Sequence, residues 1–312
     1  MDPVCHTLVG LTLARSGLAR WTARGTATLV IAANLPDVDV LAIGLGRNLE
    51  VRRGWTHGVL ALVVWPFLLA GAMLLWDRYR RLPNREAAQY GALALLSAIG
   101  VVTHPFLDYL NNYGLRWLMP FQDRWFYGDS LFIVDPWLLG LLAAGILLSR
   151  RRERAARGDS GRPARLALAG AAVYVGLMMV STSLARIGVA ADLARSGLAG
   201  ARFMATAAPV NPFVKEVVVD DGRRYRLGRY RLLSAPRLRF DSALDKGVQY
   251  AAAVDQGSPR AKAFFHWSRF PVLEPVDSAG TRFRAYDLRY VGRGGSSWAA
   301  IPITPATPSG SH

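Results

Sequence analysis

One cysteine in 312 residues, Cys5, excludes an intramolecular disulfide framework, so thiol chemistry says nothing about the compartment. Charge is scarce as well. Asp, Glu, Lys and Arg make up 19% of the chain and hydrophobic residues 52%, too apolar in the first half for an ordinary soluble fold. Acids are the rarer sign, 22 against 38 basic residues, for a formal net charge of +16. The opening Met-Asp-Pro lacks the cationic region of a cleavable signal and no small-residue cleavage site follows, so the first apolar stretch is expected to stay on the chain. No internal repeat marks the sequence as a solenoid or array.

Long apolar runs are what the chain has in place of these. A membrane helix needs about 20 mostly apolar residues. Five segments approach that: 26–45, 56–76, 88–110, 131–149 and 165–187. A sixth, 3–15, would cross only part of the hydrocarbon at about 1.5 Å per residue and is a short first helix or a half-membrane segment. The pattern predicts a polytopic α-helical membrane domain of five to six helices over 1–187. Beyond it, 188–312 is expected to form a small, mainly β extramembrane domain. There VKEVVVDDGRRYRLGRYRLL reads as a hairpin around Asp221-Gly222, and AKAFFHWSRF and TRFRAYDLRYV read as further strands. His266 falls in the first of these as a strand residue without a catalytic part. The tail after Trp298, rich in Pro, Ser and Thr, is expected to fray.

Arginines orient the helices. The stretch 149–165 holds seven, the loop after residue 76 four and the loop 15–25 three, while the alternate loops 46–55 and 111–130 hold three and two. The positive-inside rule puts the first set in the cytoplasm, which leaves the amino terminus and everything after about residue 188 outside. The same placement explains much of the basic excess. Nucleic acid is therefore not an expected partner, and a basic surface beside anionic membrane lipids is.

On this topology the polar residues of the membrane half gather at one end. His104 and Asp108, four apart, share a helix face and make a natural pair of ligands for a divalent cation. Asp37, His57 and His6 reach the same level and bring the set to five. Asp39 and Asp135 could complete a second ion, orient the imidazoles or act as base. Arg53, Asn111 and Asn112 are placed to hold an anionic group. Taken singly, each has a plainer reading: an interfacial histidine packs, Asp37 after Leu-Pro caps or ends a helix, and Cys5 is an inert buried thiol. Those readings do not predict that residues from five segments should meet at one end. The nitrogen and oxygen donors suit zinc first, with manganese or magnesium possible. The chemistry that follows is hydrolysis of an ester or phosphoester, in a small-molecule or lipid-linked substrate reached at headgroup level. A transporter would instead place ionisable residues near the bilayer midplane, where LALVVWPFLLAGAML and LALLSAIGVV carry none. A metal-binding scaffold, or an interaction protein built around the β domain, is the remaining class.

Five ordered motifs over roughly residues 1–187 carry a family resemblance: DPVCHTLVG, LPDVD, RRGWTHG, THPFLDYLNNYG and MPFQDRWFYGDSLFIVDPW. They resemble the YdjM-like family of inner-membrane metal-dependent hydrolases. The resemblance implies an inner-membrane location and metal-ligand roles for His6, Asp37, His57, His104 and Asp108. In one place the chain departs from that pattern, with Arg52 where family members commonly carry a histidine before the Arg-Gly.

The arginine distribution sets the first prediction. A reporter fused after residue 155 should behave as cytoplasmic and one fused after residue 200 as external. Reversed behaviour would move the polar cluster to the cytoplasmic face.

Overall fold

The computed structural model describes residues 1–44, 48–80, 86–246, 259–277, 282–291 and 299–303. Contacts divide the chain into two units, Met1–Leu45 with Val51–Ser181 and Ala207–Pro212, and Gly46–Glu50 with Thr182–Thr206 and Phe213–His312.

The first unit is helical. Its helices α1 (Pro3–Arg15) and α6 (Pro136–Arg154) both start at an Asp-Pro pair. Asp2 accepts hydrogen bonds from the backbone N–H of Val4 and Cys5 at 3.0 and 3.1 Å, and Asp135 from those of Trp137 and Leu138 at 3.1 and 3.0 Å. Proline at the first helical position has no N–H to leave unsatisfied, so the pair is a compact start signal. Helix α2 (Gly25–Asn34) stops where Pro36 has no N–H to give back to the preceding turn, and the chain tightens into a 3-10 helix over Leu35–Ile43. Helices α4 (Val59–Arg80), α5 (Tyr90–Tyr109) and the part of α7 (Arg162–Arg195) up to Ser181 complete the set, while most of the one-turn α3 (Asn48–Val51) and the rest of α7 fall in the second unit.

Four described stretches are long and apolar enough to cross a membrane: Gly25–Ala42, Val59–Arg80, Tyr90–Tyr109 and Arg162–Arg195. The run expected over 131–149 is not among them. Residues 131–135 lead into the Asp135 cap, and the apolar part of α6 gives way at Arg150 to a run of arginines. Leu60, Val63, Val64, Phe67 and Leu68 of α4 are exposed side by side, a surface that suits lipid rather than water.

Helix α2 is the centre of the unit, packed by both α1 and α5. Within a bilayer, helices gain little from hydrophobic exclusion and approach closely through small residues. A side chain at Gly10 of α1 would put its Cβ 2.8 Å from the Leu29 carbonyl oxygen. One at Gly100 of α5 would lie 2.5 Å from the Ala32 Cβ. Those two contacts sit one helical turn from His6 and His104 and bring both imidazoles to the end of α2.

The second unit carries a four-stranded antiparallel meander, β1 (Arg202–Ala207), β2 (Val214–Asp220), β3 (Arg224–Arg231) and β4 (Leu238–Asp245), in sequential order. The expected hairpin turn is there, with Gly222 at φ 94° and the Asp221 carboxylate accepting from the backbone of Arg223 and Arg224. A second sheet holds β5 (Pro271–Pro275), β6 (Phe283–Asp287) and β7 (Ala300–Ile303). The stretch AKAFFHWSRF is not a strand: α8 (Pro259–Trp267) occupies it, because Ala261, Phe264 and Trp267 are buried at a spacing of three and not two. His266 is accordingly an exposed helical residue. Residues 300–303 of the supposed tail pair with β6, while 304–312 lie outside the described residues. Asp287 anchors this sheet, accepting from the Ser268 hydroxyl, the backbone of Arg269 and the Arg289 guanidinium. Burial alone would raise its carboxyl pKa, and Arg289 with these donors outweighs burial and holds it below the ordinary value.

The close approach of α5 to α2 is testable. Gly100→Val should destabilise the first unit by about 1–3 kcal/mol through overpacking. Thermal unfolding equal to wild type would show that the helices are not in contact there.

Candidate metal centre

The 3-10 helix after α2 decides how its two aspartates are used. At about three residues per turn, positions two apart point to different sides, so Asp37 and Asp39 face different partners. His57 comes from the turn before α4, where its N–H and that of Gly58 both donate to the Gly54 carbonyl, at 3.0 and 2.8 Å. Arg53 in the same turn adopts φ 51°, a left-handed conformation. His104 and Asp108 lie one turn apart on α5.

Four side chains from these three segments converge. Donor atoms of Asp37, His57, His104 and Asp108 all lie within 4.8 Å of one another. The Nε2 atoms of His57 and His104 are 3.2 Å apart. Each is 3.4 Å from Asp108 Oδ2, and Asp37 Oδ1 is 4.0 Å from the first and 3.7 Å from the second. Neither Asp37 Oδ1 nor Asp108 Oδ2 makes a hydrogen bond, although both are buried.

Groups behind the imidazoles fix what they present. His104 Nδ1 is 2.7 Å from the Ala33 carbonyl, which can only accept, so that nitrogen carries the proton. Thr56 donates its hydroxyl hydrogen to Asp39 Oδ2 at 3.0 Å and therefore accepts from His57 Nδ1 at 2.9 Å. With both rings neutral, each turns an Nε2 lone pair into the cluster. Two such lone pairs at 3.2 Å with two unbonded carboxylate oxygens repel unless a metal ion or a proton lies among them. Four ligands about 2.1 Å from a tetrahedral ion would stand about 3.4 Å apart, so the donor set fits one divalent cation. The cluster could hold a metal ion.

The other residues singled out by the sequence are placed as follows. His6 stacks on His104, ring centroids 3.8 Å apart, with Nε2 3.4 Å from Asp108 Oδ1, and stands outside the four-donor group. Asp39 is behind His57, on its Nδ1 side, and also accepts from the Arg53 N–H at 2.6 Å. Arg53 is buried and its fork is committed. It donates to Asp108 Oδ1 at 2.9 Å and to Asn111 Oδ1 and the Gly114 carbonyl at 3.3 Å, and it lies over the Tyr113 ring. Asp108 Oδ1 also meets the Met1 amine, so Oδ2 is the oxygen left to the cluster. Asn111 spends its carbonyl on Arg53 and the Tyr113 N–H, and Asn112 is buried and engaged. Asp135, expected as a second carboxylate, caps α6 and accepts from the Tyr174 hydroxyl at 2.9 Å, which accounts for both its oxygens.

Two participants carry no spacing signal. The Ala33 carbonyl is backbone, invisible to residue type, and Thr56 is marked only by standing next to His57. Arg52 is the third addition: its Nη2 is 3.7 Å from Asp37 Oδ1, and the two side chains, 20% and 14% exposed, are the more accessible members of the group.

No solved structure matches the chain. A stretch of 105 residues, 33% of the chain and 30% of the relative, is 26% identical to the uncharacterized protein YfhP of Bacillus subtilis (strain 168). The chain thus spans under a third of that relative. The match to the family described as YdjM inner membrane protein runs over residues 1–185 and contains every residue of the cluster, and the chain belongs to that family.

Proposed function

We propose that this chain is a membrane-embedded, metal-dependent hydrolase acting on an ester or phosphoester of a lipid or lipid-linked substrate. The convergence of the Nε2 atoms of His57 and His104 with Asp37 Oδ1 and Asp108 Oδ2 carries this reading. Those four residues would hold the ion, with zinc the best match to the donors and their spacing. A divalent ion there would supply Lewis acidity and lower the pKa of a water from about 15.7 toward 7.

The surrounding residues take different parts from those their types suggest. Asp39 orients His57 through Nδ1 and Thr56, and stands too far round the ring to receive the proton of an attacking water. Asp37, the most accessible carboxylate of the cluster, is better placed for that. Arg53 positions Asp108. The anion-holding part passes to Arg52, whose guanidinium reaches the cluster at 3.7 Å, beyond hydrogen-bond length, and so can turn to a substrate. Val38, Leu41 and Trp55, exposed and apolar on the same segments as Asp37 and His57, suit the acyl or polyprenyl part of an amphiphile.

The test begins with metal content of the full chain after zinc loading. His57→Ala, His104→Ala and Asp108→Ala should each lose at least about tenfold in affinity, and Asp39→Asn about 10- to 100-fold in affinity or turnover. Hydrolysis of a panel of phosphoesters and phospholipids should stop with a chelator and return with zinc or manganese. Stoichiometric metal without turnover on any member of the panel would favour the scaffold or transport reading.

Arg52→Gln separates substrate binding from metal binding. It should leave the metal in place and raise KM for anionic esters by about tenfold, consistent with loss of one charge-assisted contact, with little change for neutral esters. An equal change for both would remove Arg52 from substrate recognition.

A further inference from the structure

A second polar feature lies at the other end of α1, about 14 Å along the helix from His6. It is a cavity of about 260 Å³ between α1, the 3-10 turn Leu18–Trp21 and α6. Leu11 and Ala14 line it on the apolar side, and Arg15, Arg20 and Arg150 bring three guanidinium groups to it from three segments, with Glu153 the one carboxylate.

The charges are unevenly used. Arg15 pairs with Glu153. Among the described residues Arg20 and Arg150 enter no close ion pair; Asp159, which pairs with Arg165, attracts Arg20 only at longer range, and the three guanidinium groups outnumber the one carboxylate lining the cavity. Each stands where an apolar stretch ends: Arg15 closes α1, and Arg150 follows the apolar run of α6. The membrane half holds no lysine at all, the first being Lys215, so every cation here is a planar fork that can grip two phosphate oxygens.

We infer that this cavity holds the phosphate group of an anionic membrane lipid, with its glycerol and first methylenes against Leu11 and Ala14. Like charges brought together at an apolar boundary are held apart by repulsion unless an anion bridges them, and a phosphodiester supplies one negative charge in the bilayer where the cavity opens. The bound lipid would tie the end of α1 to α6. The inference does not depend on the hydrolase reading, since none of these residues belongs to the metal cluster.

The experiment is native mass spectrometry of the full chain in detergent with phosphatidylglycerol or phosphatidylcholine added. Wild type should retain phosphatidylglycerol in preference. Arg20→Gln with Arg150→Gln, both exposed, should weaken that retention by about 10- to 30-fold. Glu153→Gln frees Arg15 and should strengthen it. A control pair, Arg78→Gln with Arg80→Gln at the end of α4, removes the same charge elsewhere and should change retention less than threefold. Equal loss in the control pair, or equal retention of the two lipids by wild type, overturns the inference. Inorganic phosphate at millimolar concentration decides the source of the group. Phosphatidylglycerol that survives it confirms a lipid headgroup, and its replacement by bound phosphate overturns the lipid assignment.

Discussion

Two imidazole Nε2 atoms facing each other at 3.2 Å are the constraint around which the membrane unit is arranged. The tautomers that produce the opposition are set from outside the cluster, by a backbone carbonyl on one side and a threonine relay to Asp39 on the other. Holding them there takes close helix packing, which Gly10 and Gly100 permit, and a charge balance around Asp108, which Arg53 supplies. Removal of any of these supports should be felt at the nitrogens before it is felt in the helices.

Much of this was legible from residue order. The i, i+4 relation of His104 and Asp108 survives folding because a helix preserves it, and Asp37 and His57 follow from the topology that brings loop and helix ends to one level. The four-donor group, all within the expected five, is therefore a consequence of spacing. What spacing could not separate was ligand from support. Asp39 and Asp135 are carboxylates near the same level, yet one leans on the far nitrogen of His57 and the other caps a helix. Arg53 and Arg52 are neighbours in sequence, and the left-handed turn at Arg53 sends one inward and leaves the other at the rim.

The misreadings in the second half have a different source. AKAFFHWSRF is rich in aromatic residues, which favour strands, but its buried positions recur every three residues and helix formers stand between them. Four residues after Trp298 join a sheet because β6 offers them an unpaired edge, a tertiary partner that composition does not announce. In α6 the apolar length was overstated because an aspartate cap and an arginine run trim the helix from opposite ends.

Cys5 adjoins His6 and is wholly buried, and it is the only thiol the chain possesses. Burial keeps bulky, water-borne maleimides from it, so a cysteine engineered at an exposed position would be the one sulfur they reach. The native sequence is in that respect already a background for site-directed labelling, in which accessibility from either side of the membrane can be scanned one residue at a time without first rebuilding the packing beside His6.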